Sequence, residues 1–322
     1  MTDARDADAH GRADTPSDVR VAVVVLNYRT PALTVDCARS VLAEIDPRQD
    51  RIVLVDNASG DGSADKIRAG LAGVGGDVLR VVESGANGGF AAGNNVGIAS
   101  VGARAYLLLN SDTWLRQGAL ERLWQVLASD ARIGLVTPRL EWPDGQPQIS
   151  CFRFHTPVSE LIAGAATGPV RALLDRWDVP LPVQDGPSEP DWSSFAAVLI
   201  RGEVIRTVGL LDSAFFMYFE DVDYCRRARR AGWRIRNEPS ARVVHLRGGS
   251  SPVKALSAAR KRRPRYYYAS RALYYRRAFG GLGPLAANLL WTAGRSLAWL
   301  RETLTGKPSH TVERELLDNW RG

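Results

Sequence analysis

Four short polar segments contain the side chains that could do chemistry in this chain. Asp56 and Asp112 each follow an apolar run, Glu220 and Asp221 follow a cluster of aromatic residues, and His245 ends another apolar run. Mg²⁺ and Mn²⁺ prefer oxygen donors and often share a protein carboxylate with the phosphates of a substrate. A carboxylate directly after a buried strand therefore predicts a site for a divalent cation and a phosphorylated ligand.

Asp112 is the candidate metal ligand, within the triplet Asn110-Ser111-Asp112. The alternative is an ordinary turn, since a lone Asp after a strand often forms one. His245 precedes the loop Arg247-Gly248-Gly249-Ser250-Ser251, and it could complete the metal site while this loop closes over phosphates. The alternative is a structural role, which is the usual one for a lone histidine at a strand end.

The segment Glu220-Asp221-Val222-Asp223 is predicted to begin a helix that is rich in arginine near its end. Acidic residues at a helix N-terminus and arginines at its C-terminus complement the helix dipole without any catalysis. Adjacent carboxylates that follow an apolar segment can also hold a general base beside an acceptor hydroxyl. The pattern leaves both interpretations open.

Two loops combine glycine with small polar side chains. Asp56-Asn57-Ala58-Ser59-Gly60-Asp61-Gly62-Ser63 can turn tightly and offer carboxylates and backbone donors to a base and a ribose. The alternative is a polar strand-to-helix turn with Ser63 as the N-cap. Asn87-Gly88-Gly89-Phe90-Ala91-Ala92-Gly93-Asn94-Asn95 indicates either a helix start against a ligand or close helix–sheet packing. Because it follows the third predicted strand, it is not a dinucleotide fingerprint.

The elements that position these residues alternate between strands and helices. Apolar, β-branched runs predict strands at 21–26, 51–55, 78–82, 105–109 and 133–137, with helical spacing between them. This alternation predicts an α/β fold with a mainly parallel sheet, whose ligands gather at the carboxyl ends of the strands. The residues that directly follow strand ends should therefore lie along one rim: Asn27-Tyr28, Asp56-Asn57, Glu83 and Asn110-Ser111-Asp112.

A region rich in proline and glycine follows at 141–190. We expect it to contain a turn at Trp142-Pro143-Asp144-Gly145 and a short helix or hairpin. After it, the pattern predicts a strand at 191–201, a short helix at 202–208, a helix at 221–231 that Gly232 ends, and a strand at 241–246.

Composition limits the class of protein. The chain has 322 residues, of which 45% are hydrophobic and 24% charged, which suits one large or two ordinary domains. Cys37, Cys151 and Cys225 are far apart and odd in number, which favours a reducing cytoplasm over a disulfide framework. Residues 1–19 are polar and lack the apolar core of a signal peptide, so we expect a disordered tail.

The formal net charge of +7 is concentrated near the C-terminus, because residues 239–301 contain 13 Lys or Arg and no Asp or Glu. Lys261-Arg262-Arg263, Tyr266-Tyr267-Tyr268 and Tyr274-Tyr275-Arg276-Arg277 precede an apolar run at 285–300, which is shorter than the ~20 residues that a membrane-spanning helix needs. Aromatic rings, arginines and an apolar face are typical of a helix at an anionic membrane surface. We expect 255–322 to be such a basic, amphipathic helical segment, peripherally bound to the cytoplasmic face of the inner membrane.

Taken in order, these segments resemble the family 2 glycosyltransferases of the GT-A fold, especially the bacterial rhamnosyltransferase-like branch, over roughly residues 21–251. The ordered set is more specific than any one motif. The resemblance implies a Rossmann-like GT-A domain at 20–254, followed by the C-terminal helical segment. It implies that the donor-binding residues are Asn27, Tyr28, Asp56, Asn57, Asp61, Asn87, Gly88, Asn94, Asn110 and Ser111.

The resemblance also implies a metal site and a catalytic base. Asp112 stands at the last Asp of the family's Asp-x-Asp motif, and His245 matches a histidine that binds the metal, Mg²⁺ or Mn²⁺, in some members. Asp221, beside Glu220, matches the general base of inverting members. The residues expected to bind the acceptor are Trp192, Phe195 and Asp223.

Two departures from the family pattern affect these expectations. Asn110 replaces the first Asp of the metal motif, so that the metal rests on fewer carboxylates. Trp192-Ser193-Ser194-Phe195-Ala196 stands where the family often has Ser-Gly-Ala, which changes the shape expected of the acceptor pocket.

The reaction implied by the resemblance is a single displacement that inverts the anomeric carbon. The expected donor is a nucleoside diphosphate sugar, with dTDP-rhamnose as the first choice, and the expected acceptor is a glycan or a polyprenyl-linked sugar of a cell-surface polysaccharide. Two alternatives remain. A nucleotidyltransferase usually needs glycine and lysine near the first strand, and residues 21–31 contain neither. A nucleic-acid-binding protein would use the basic segment, but we expect no nucleic acid because no RRM, KH or helix-turn-helix signature is present.

Overall fold

The computed structural model describes residues 18–248, 253–306 and 311–322. Most of the expected N-terminal tail and residues 249–251 of the expected phosphate loop lie outside the described residues. An eight-stranded sheet forms the centre of the fold. Its strands are β1 Val21–Asn27, β2 Asp50–Asp56, β3 Leu79–Glu83, β4 Ala105–Asn110, β5 Thr113–Leu115, β6 Ile133–Glu141, β9 Ala197–Arg201 and β10 Arg234–His245. Across the sheet, the strands lie in the order β3-β2-β1-β4-β9-β6-β10-β5. Two short strands, β7 Cys151–Phe152 and β8 Trp192–Ser193, pair separately.

The expected α/β fold with a mainly parallel sheet is confirmed. Strands β1, β2, β3 and β4 are parallel neighbours, and β6 is parallel to β10, whereas β9 and β5 run antiparallel to their partners. The apolar run of β1 explains how the sheet is buried. Val21, Val23 and Val25 face one apolar cluster, and Ala22 and Val24 face another, because successive strand residues point to opposite sides.

Helices cover both faces of the sheet. They are α1 Pro31–Leu42, α2 Ser63–Gly70, α3 Gly89–Ala99, α4 Ala119–Ser129, α5 Pro157–Ala165, α6 Gly168–Leu173, α7 Gly202–Val208, α8 Glu220–Arg230, α9 Val253–Ala258, α10 Arg265–Phe279, α11 Gly283–Thr305 and α12 Glu315–Arg321, with 3₁₀ turns at Gly76–Val78 and Asp175–Trp177. Apolar side chains of α1 and α4 join the first cluster, and those of α3, α8 and α10 join the second.

The single strand expected at 191–201 is wrong, because the chain breaks between β8 and β9. Ser194 N donates to Ser150 O, and the Phe195 N–H donates to the Asp221 carboxylate instead of to a neighbouring strand. The expected strand at 241–246 is the second half of the longer β10. Its partner register shifts between Glu238 and Arg242, which marks a bulge.

The tyrosines of the C-terminal segment lie mostly inside the protein, which corrects the expectation that they lie at a membrane surface. Tyr274 and Tyr275 are fully buried in the second cluster. Their hydroxyls donate to His155 O and to the Glu160 carboxylate, which satisfies the polar end of each ring. Helix α10 is thereby bound to the body of the fold.

Helix α11 packs closely on α5. A Cβ atom at Gly164 would overlap the Trp291 carbonyl oxygen, and one at Gly294 would overlap the Leu161 carbonyl oxygen. The two glycines therefore let the backbones of α5 and α11 approach each other. Within the described residues, no helix is both long enough and apolar enough to span a bilayer.

Candidate functional site

The strand register brings the predicted rim together. Asn27, the last residue of β1, pairs with Asp56 at the end of β2, and Leu26 pairs with Asn110 at the end of β4. The polar residues that follow three neighbouring strands therefore meet at one edge of the sheet, as the parallel topology requires.

Asn27 and Asp56 are bound to each other at this edge. Asn27 Nδ2 donates to Asp56 Oδ1 over 2.6 Å and to Ser59 Oγ over 3.2 Å, while its Oδ1 accepts from Thr34 Oγ1 over 2.8 Å. The carboxylate of Asp56 also accepts from Ser59 Oγ over 2.6 Å. Because Asn27 is fully buried and its amide is occupied, its role in the structure is to join the loop after β1 to the loop after β2.

A cavity of about 360 Å³ opens beside these loops, and we call it the donor pocket. Its volume lies within the range of about 300–1,000 Å³ typical of small-molecule sites. Five of the residues predicted to bind the donor line it. The lining consists of Leu26, Tyr28, Asn57, Asn87, Gly89, Phe90, Asn110, Ser111, Phe216, Met217, Pro264 and Tyr266.

Asn57 and Asn87 are held in place inside the pocket. Asn57 Nδ2 donates to Asn87 Oδ1 over 3.0 Å and to Gly89 O over 3.1 Å. Gly89 has φ of +85°, and a Cβ atom there would overlap the carbonyl oxygen of Phe216. Phe90 N donates to this same oxygen over 2.7 Å. Gly89 therefore allows the aromatic segment 215–219 to lie against the donor pocket.

Three other predicted donor residues lie apart from the pocket lining. Asp61 accepts hydrogen bonds from Ser63 N and Ser63 Oγ, which makes it a local turn residue. Gly88 caps α3. Asn94 is fully buried on α3 and donates to Phe90 O over 2.9 Å. These contacts are local, as the structural alternatives of a polar turn and close packing expect. The predicted N-cap at Ser63 is wrong, because Gly62 is the N-cap of α2 and Ser63 is the first residue of the helix.

Asp112 and His245 meet at the end of the sheet although they are far apart in the chain. Strand β5 pairs with β10 so that His245 lies opposite Thr113, and Leu246 N donates to Asp112 O over 3.0 Å. His245 Nε2 lies 3.5 Å from Asp112 Oδ1, and both side chains are buried. The sequence predicted each residue as a metal ligand, and the fold brings the two together.

The carboxylate of Asp112 and the imidazole of His245 suit a divalent cation that a substrate also coordinates. Within the described residues, no group of three His, Cys, Asp or Glu side chains is arranged to hold a metal. His245 Nδ1 is buried, and the described part of the chain provides no hydrogen-bond partner for it. One carboxylate and one imidazole leave most of the coordination sphere of a divalent cation to substrate oxygens and water.

The acid pair lies at the N-terminus of α8, after a strained turn. Tyr218 and Phe219 have φ of 70° and 67°, values in the left-handed region that non-glycine residues rarely adopt. Burial raises the pKa of Asp221 to about 6, and burial together with the charge of Asp221 raises the pKa of Glu220 well above its usual range. Burial therefore disfavours two adjacent negative charges at this helix terminus, and the raised pKa of Asp221 makes it a candidate to accept a proton.

The predicted acceptor residues surround α8, but their contacts differ. Phe195 is buried, and its backbone N–H donates to Asp221. Trp192 is buried, stacks on Phe152 with 4.2 Å between ring centroids, and donates from Nε1 to Arg153 O. Asp223 forms an ion pair with Arg227 at 2.8 Å, which occupies its carboxylate. Of the three, Phe195 is the residue whose contact with the candidate base is direct.

Seven lining residues of the donor pocket were not among the predicted donor-binding residues. Leu26, Gly89 and Phe90 adjoin predicted ones, whereas Phe216, Met217, Pro264 and Tyr266 come from distant segments. The rings of Phe216 and Tyr266 lie 5.3 Å apart, and Ser270 Oγ on α10 donates to Met217 O over 3.0 Å. The aromatic runs are visible in the sequence, but neither run predicts by itself that two segments so far apart in the chain form one wall.

The fold and the site define an α/β protein with a ligand pocket at the carboxyl edge of a mainly parallel sheet, and comparison with known proteins identifies its family. The model of the family described as "Glycosyltransferase like family 2" matches residues 18–269, which is most of the chain. The chain therefore belongs to glycosyltransferase family 2, as the sequence resemblance implied, and it is a hexosyltransferase.

Several curated proteins are similar to this chain. The N-acetylglucosaminyl-diphospho-decaprenol L-rhamnosyltransferase of Mycobacterium tuberculosis is 27% identical over 229 residues, which cover 65% of this chain and 72% of that protein. The low-salt glycan biosynthesis hexosyltransferase Agl10 of Haloferax volcanii is 27% identical over 158 residues, covering 48% of this chain and 47% of that protein. The similarity to the first is consistent with the rhamnosyltransferase-like branch.

Solved structures share the fold at low sequence identity. The mannosyltransferase PcManGT from Pyrobaculum calidifontis, in complex with GDP-Man and Mn²⁺, has a TM-score of 0.57 and 15% identity, over 92% of this chain and 81% of that one. Residues 1–349 of TarS from S. aureus have a TM-score of 0.55 and 13% identity, over 94% of this chain and 78% of that one. These similarities confirm the GT-A fold.

Proposed function

We propose that this protein is an inverting glycosyltransferase that transfers rhamnose from dTDP-rhamnose to a hydroxyl of a lipid-linked glycan, in the assembly of a cell-surface polysaccharide. One observation carries the proposal: the Asp112–His245 pair and the donor pocket occupy the same edge of the sheet, and the segment that walls this pocket leads directly into Glu220 and Asp221. The name of the mycobacterial relative supports the choice of rhamnose and of a polyprenyl diphosphate acceptor.

Asp112 and His245 would hold Mg²⁺ or Mn²⁺ together with the donor diphosphate. When bound, the ion would supply positive charge to the departing nucleoside diphosphate. The Pyrobaculum mannosyltransferase, which was solved with GDP-Man and Mn²⁺, supports a divalent cation, and the imidazole ligand favours Mn²⁺ over Mg²⁺. Asn57, Asn87 and Tyr28 line the pocket beside this pair and would orient the nucleotide.

Asp221 is the proposed general base. Its raised pKa brings it close to the working pH, where a base combines ionisation with a strong tendency to accept a proton. The neighbouring Glu220 is buried and holds its proton more tightly, so that it keeps a second negative charge away from the base. Asp221 would remove the acceptor proton as the hydroxyl attacks the anomeric carbon, and no covalent intermediate with the protein is needed.

The exposed face of α11 is the proposed membrane contact, at the cytoplasmic surface. It presents an apolar stripe at helical spacing: Leu285, Leu289, Leu297, Leu300 and Leu304, with Trp299 beside it. Helix α12 adds the exposed Leu316, Leu317 and Trp320. A lipid surface of anionic composition suits this face because the C-terminal segment keeps exposed basic side chains, among them Lys261, Arg265 and Arg276.

Vesicle flotation tests the membrane contact. We expect the protein to float with vesicles that contain phosphatidylglycerol, and Leu289→Asp together with Leu300→Asp to abolish flotation. Leu173→Asp is the matched control, because Leu173 is 82% exposed on α6, outside this stripe. Equal flotation of the double variant and the control would contradict the proposed contact.

The two alternative functions gain no support from the structure. Arg262, Arg263 and Arg271 of the basic segment form ion pairs with Asp318, Glu315 and Glu160, respectively, so these charges are not available to nucleic acid phosphates. A nucleotidyltransferase has no counterpart among the mycobacterial, Haloferax, Pyrobaculum and S. aureus proteins to which the chain is similar.

A panel of nucleoside diphosphate sugars tests the proposed activity. Thermal shift and donor hydrolysis would be measured with dTDP-rhamnose, UDP-glucose, UDP-galactofuranose and GDP-mannose, each with Mn²⁺, with Mg²⁺ and with EDTA. We expect the largest effect with dTDP-rhamnose and Mn²⁺. Binding of no sugar nucleotide would contradict glycosyl transfer, and a stronger response to another donor would contradict rhamnose alone.

A further inference from the structure

A second cavity, of about 400 Å³, lies between the body of the fold and the C-terminal helices. We call it the C-terminal cavity. Its walls come from α5, α10, α11, α12 and the segment before α8. Its lining includes His155, Glu160, Phe219, Tyr267, Arg271 and Trp291. Neither the donor nor the proposed membrane contact accounts for this space.

The C-terminal cavity and the donor pocket share two walls. In the segment before α8, Phe216 and Met217 line the donor pocket, whereas Phe219 lines the C-terminal cavity. At the start of α10, Tyr266 lines the donor pocket, whereas Tyr267 lines the C-terminal cavity. Since neighbouring residues of two separate segments divide between the two spaces, the cavities lie back to back.

The acid pair directly follows the segment whose residues divide between the two cavities. Phe216 lines the donor pocket, Phe219 lines the C-terminal cavity, and Glu220 and Asp221 come next in the chain. An inverting glycosyl transfer requires donor and acceptor on opposite sides of the reacting carbon, with the base on the acceptor side. A cavity beside this segment is therefore the candidate for the acceptor.

The charges around the C-terminal cavity balance, which indicates the chemistry of its ligand. Three arginines line it, Arg263, Arg271 and Arg295, together with the three carboxylates Glu160, Asp178 and Glu315. Two of the ion pairs lie within the lining, Arg271 with Glu160 at 2.8 Å and Arg263 with Glu315 at 2.6 Å. The other two charges have partners outside the lining: Arg295 pairs with Glu302 and Asp178 with Arg171, each at 2.6 Å. A diphosphate would need guanidinium groups that these carboxylates already occupy. A neutral ligand with many hydroxyl groups suits such a lining better.

His155 provides a hydrogen-bonding edge in this lining. Its carbonyl oxygen accepts from Tyr274 Oη over 2.9 Å, and its ring lies 5.2 Å from the Phe219 ring and 5.8 Å from the Trp192 ring. These contacts fix the imidazole by packing. Burial lowers the pKa of His155 to about 4, so the ring is neutral at physiological pH and offers one donor and one acceptor.

We propose that the C-terminal cavity binds a neutral sugar unit of the acceptor, with His155 contacting one of its hydroxyl groups. This inference rests on the proposed glycosyl transfer and adds the location of the acceptor to it. The aromatic rings of Tyr267 and Trp291 supply apolar surface for the sugar ring, and the paired charges supply hydrogen-bond donors and acceptors.

Two substitutions test this proposal without touching the donor pocket. His155→Phe keeps an aromatic ring in the cluster but removes both ring nitrogens. Ala163→Phe places a bulky side chain at an exposed position of the cavity lining, where folding is least affected. Ala69→Phe, the same change at an exposed position of α2 that lines neither cavity, is the matched control. Thermal unfolding of each variant checks that it folds.

The measurements separate the acceptor from the donor. Transfer would be measured with N-acetylglucosaminyl diphosphate on a short prenyl chain and with octyl N-acetylglucosaminide, and donor hydrolysis would be measured without an acceptor. We expect both cavity variants to raise the acceptor KM about tenfold or more, His155→Phe through the loss of one or two hydrogen bonds and Ala163→Phe by occupying the cavity. Donor hydrolysis should stay at the wild-type rate. Ala69→Phe should change neither quantity.

Three results would overturn the assignment. An acceptor KM within about twofold of wild type in both variants would remove the cavity from the acceptor site, since the loss of a hydrogen bond should exceed that change. A raised KM for the diphosphate acceptor but not for the octyl glycoside would mean that the cavity binds the diphosphate. Donor hydrolysis by the wild-type protein without transfer to either acceptor would contradict N-acetylglucosamine as the sugar that the cavity binds. Failure of the proposed function itself would be seen separately, as a wild-type protein that hydrolyses no sugar nucleotide.

Discussion

The donor pocket and the C-terminal cavity lie side by side but are built in different ways. Most polar residues of the donor pocket follow the ends of neighbouring parallel strands and are fixed by short hydrogen-bonded links such as Asn57 to Asn87. The C-terminal cavity is enclosed by helices far apart in sequence, and ion pairs such as Arg271 with Glu160 hold those helices together. Backbone topology positions the first site, whereas side-chain packing positions the second.

The segment 215–219 connects the two regions. Its carbonyl at Phe216 is held by Phe90 N, its carbonyl at Met217 is held by Ser270 Oγ, and Tyr218 and Phe219 adopt left-handed backbone angles just before the acid pair. Strain of this kind persists where the surrounding contacts determine the conformation. A change on either side of this segment should therefore affect the position of Asp221.

The largest effect is expected from the acid pair, at the junction of the two regions. Asp221→Asn should lower the transfer rate by about 10³-fold, because a positioned general base contributes roughly 10²–10⁴-fold. Binding of the donor, measured by calorimetry, should stay near wild type. Asp65→Asn, at an exposed position of α2, is the control. Transfer at the wild-type rate would remove Asp221 from the mechanism.

A smaller loss is expected on the donor side alone. Asp112→Ala should lower transfer on the order of 100-fold, since a bound divalent cation supplies several kcal/mol to a charged leaving group. The variant should also lose the increase in donor affinity on addition of Mn²⁺, measured by titration. An unchanged response to Mn²⁺ would show that the cation is held elsewhere.

The wall that the C-terminal segment adds to the donor pocket should have a further, weaker effect. Tyr266→Ala should raise the dissociation constant of the donor about tenfold, the loss expected when one aromatic ring no longer contacts a base or sugar. Tyr266→Phe keeps the ring and should bind the donor normally. If Tyr266→Ala changes the acceptor KM and not donor affinity, the division of roles between the two cavities is wrong.

The smallest effect concerns pH. Because Asp221 acts in its ionised form and burial raises its pKa to about 6, activity should be lost as the pH falls through that value. We expect about half of the maximal kcat/KM near pH 6 and about a tenth near pH 5. A profile measured with saturating Mn²⁺ checks this expectation. An acid limb near pH 4 would indicate an ordinary, solvated aspartate instead.

The sequence predicted much of the donor side, for a physical reason. Strands buried on both faces form continuous apolar runs, and the residues that end such runs must meet at one edge of a parallel sheet. Asn57, Asn110 and Ser111 were found in this way, and all three line the donor pocket. Asn87 also lines the pocket, but the family resemblance implied it. Asp61 and Asn94 were implied by the same resemblance, yet their hydrogen bonds are local.

The C-terminal side was predicted less well, because its residues depend on which helices pack together. The sequence indicated that Tyr274 and Tyr275 belong to an amphipathic surface segment, but their hydroxyls find partners on the chain near α5 and both rings are buried. His155 had no recognisable motif. It became significant only through its place beside Phe219 and the C-terminal cavity.

The sequence by itself determined the α/β class, the family and the ordered set of acidic, asparagine and histidine residues at strand and helix ends. These features depend on local periodicity and on short-range order along the chain. Only the tertiary structure decided that His245 lies 3.5 Å from Asp112, that Tyr266 closes the donor pocket and that a balanced polar cavity lies behind the acid pair. Such contacts join residues far apart in sequence, and the energy that selects them comes from packing side chains together in a single arrangement.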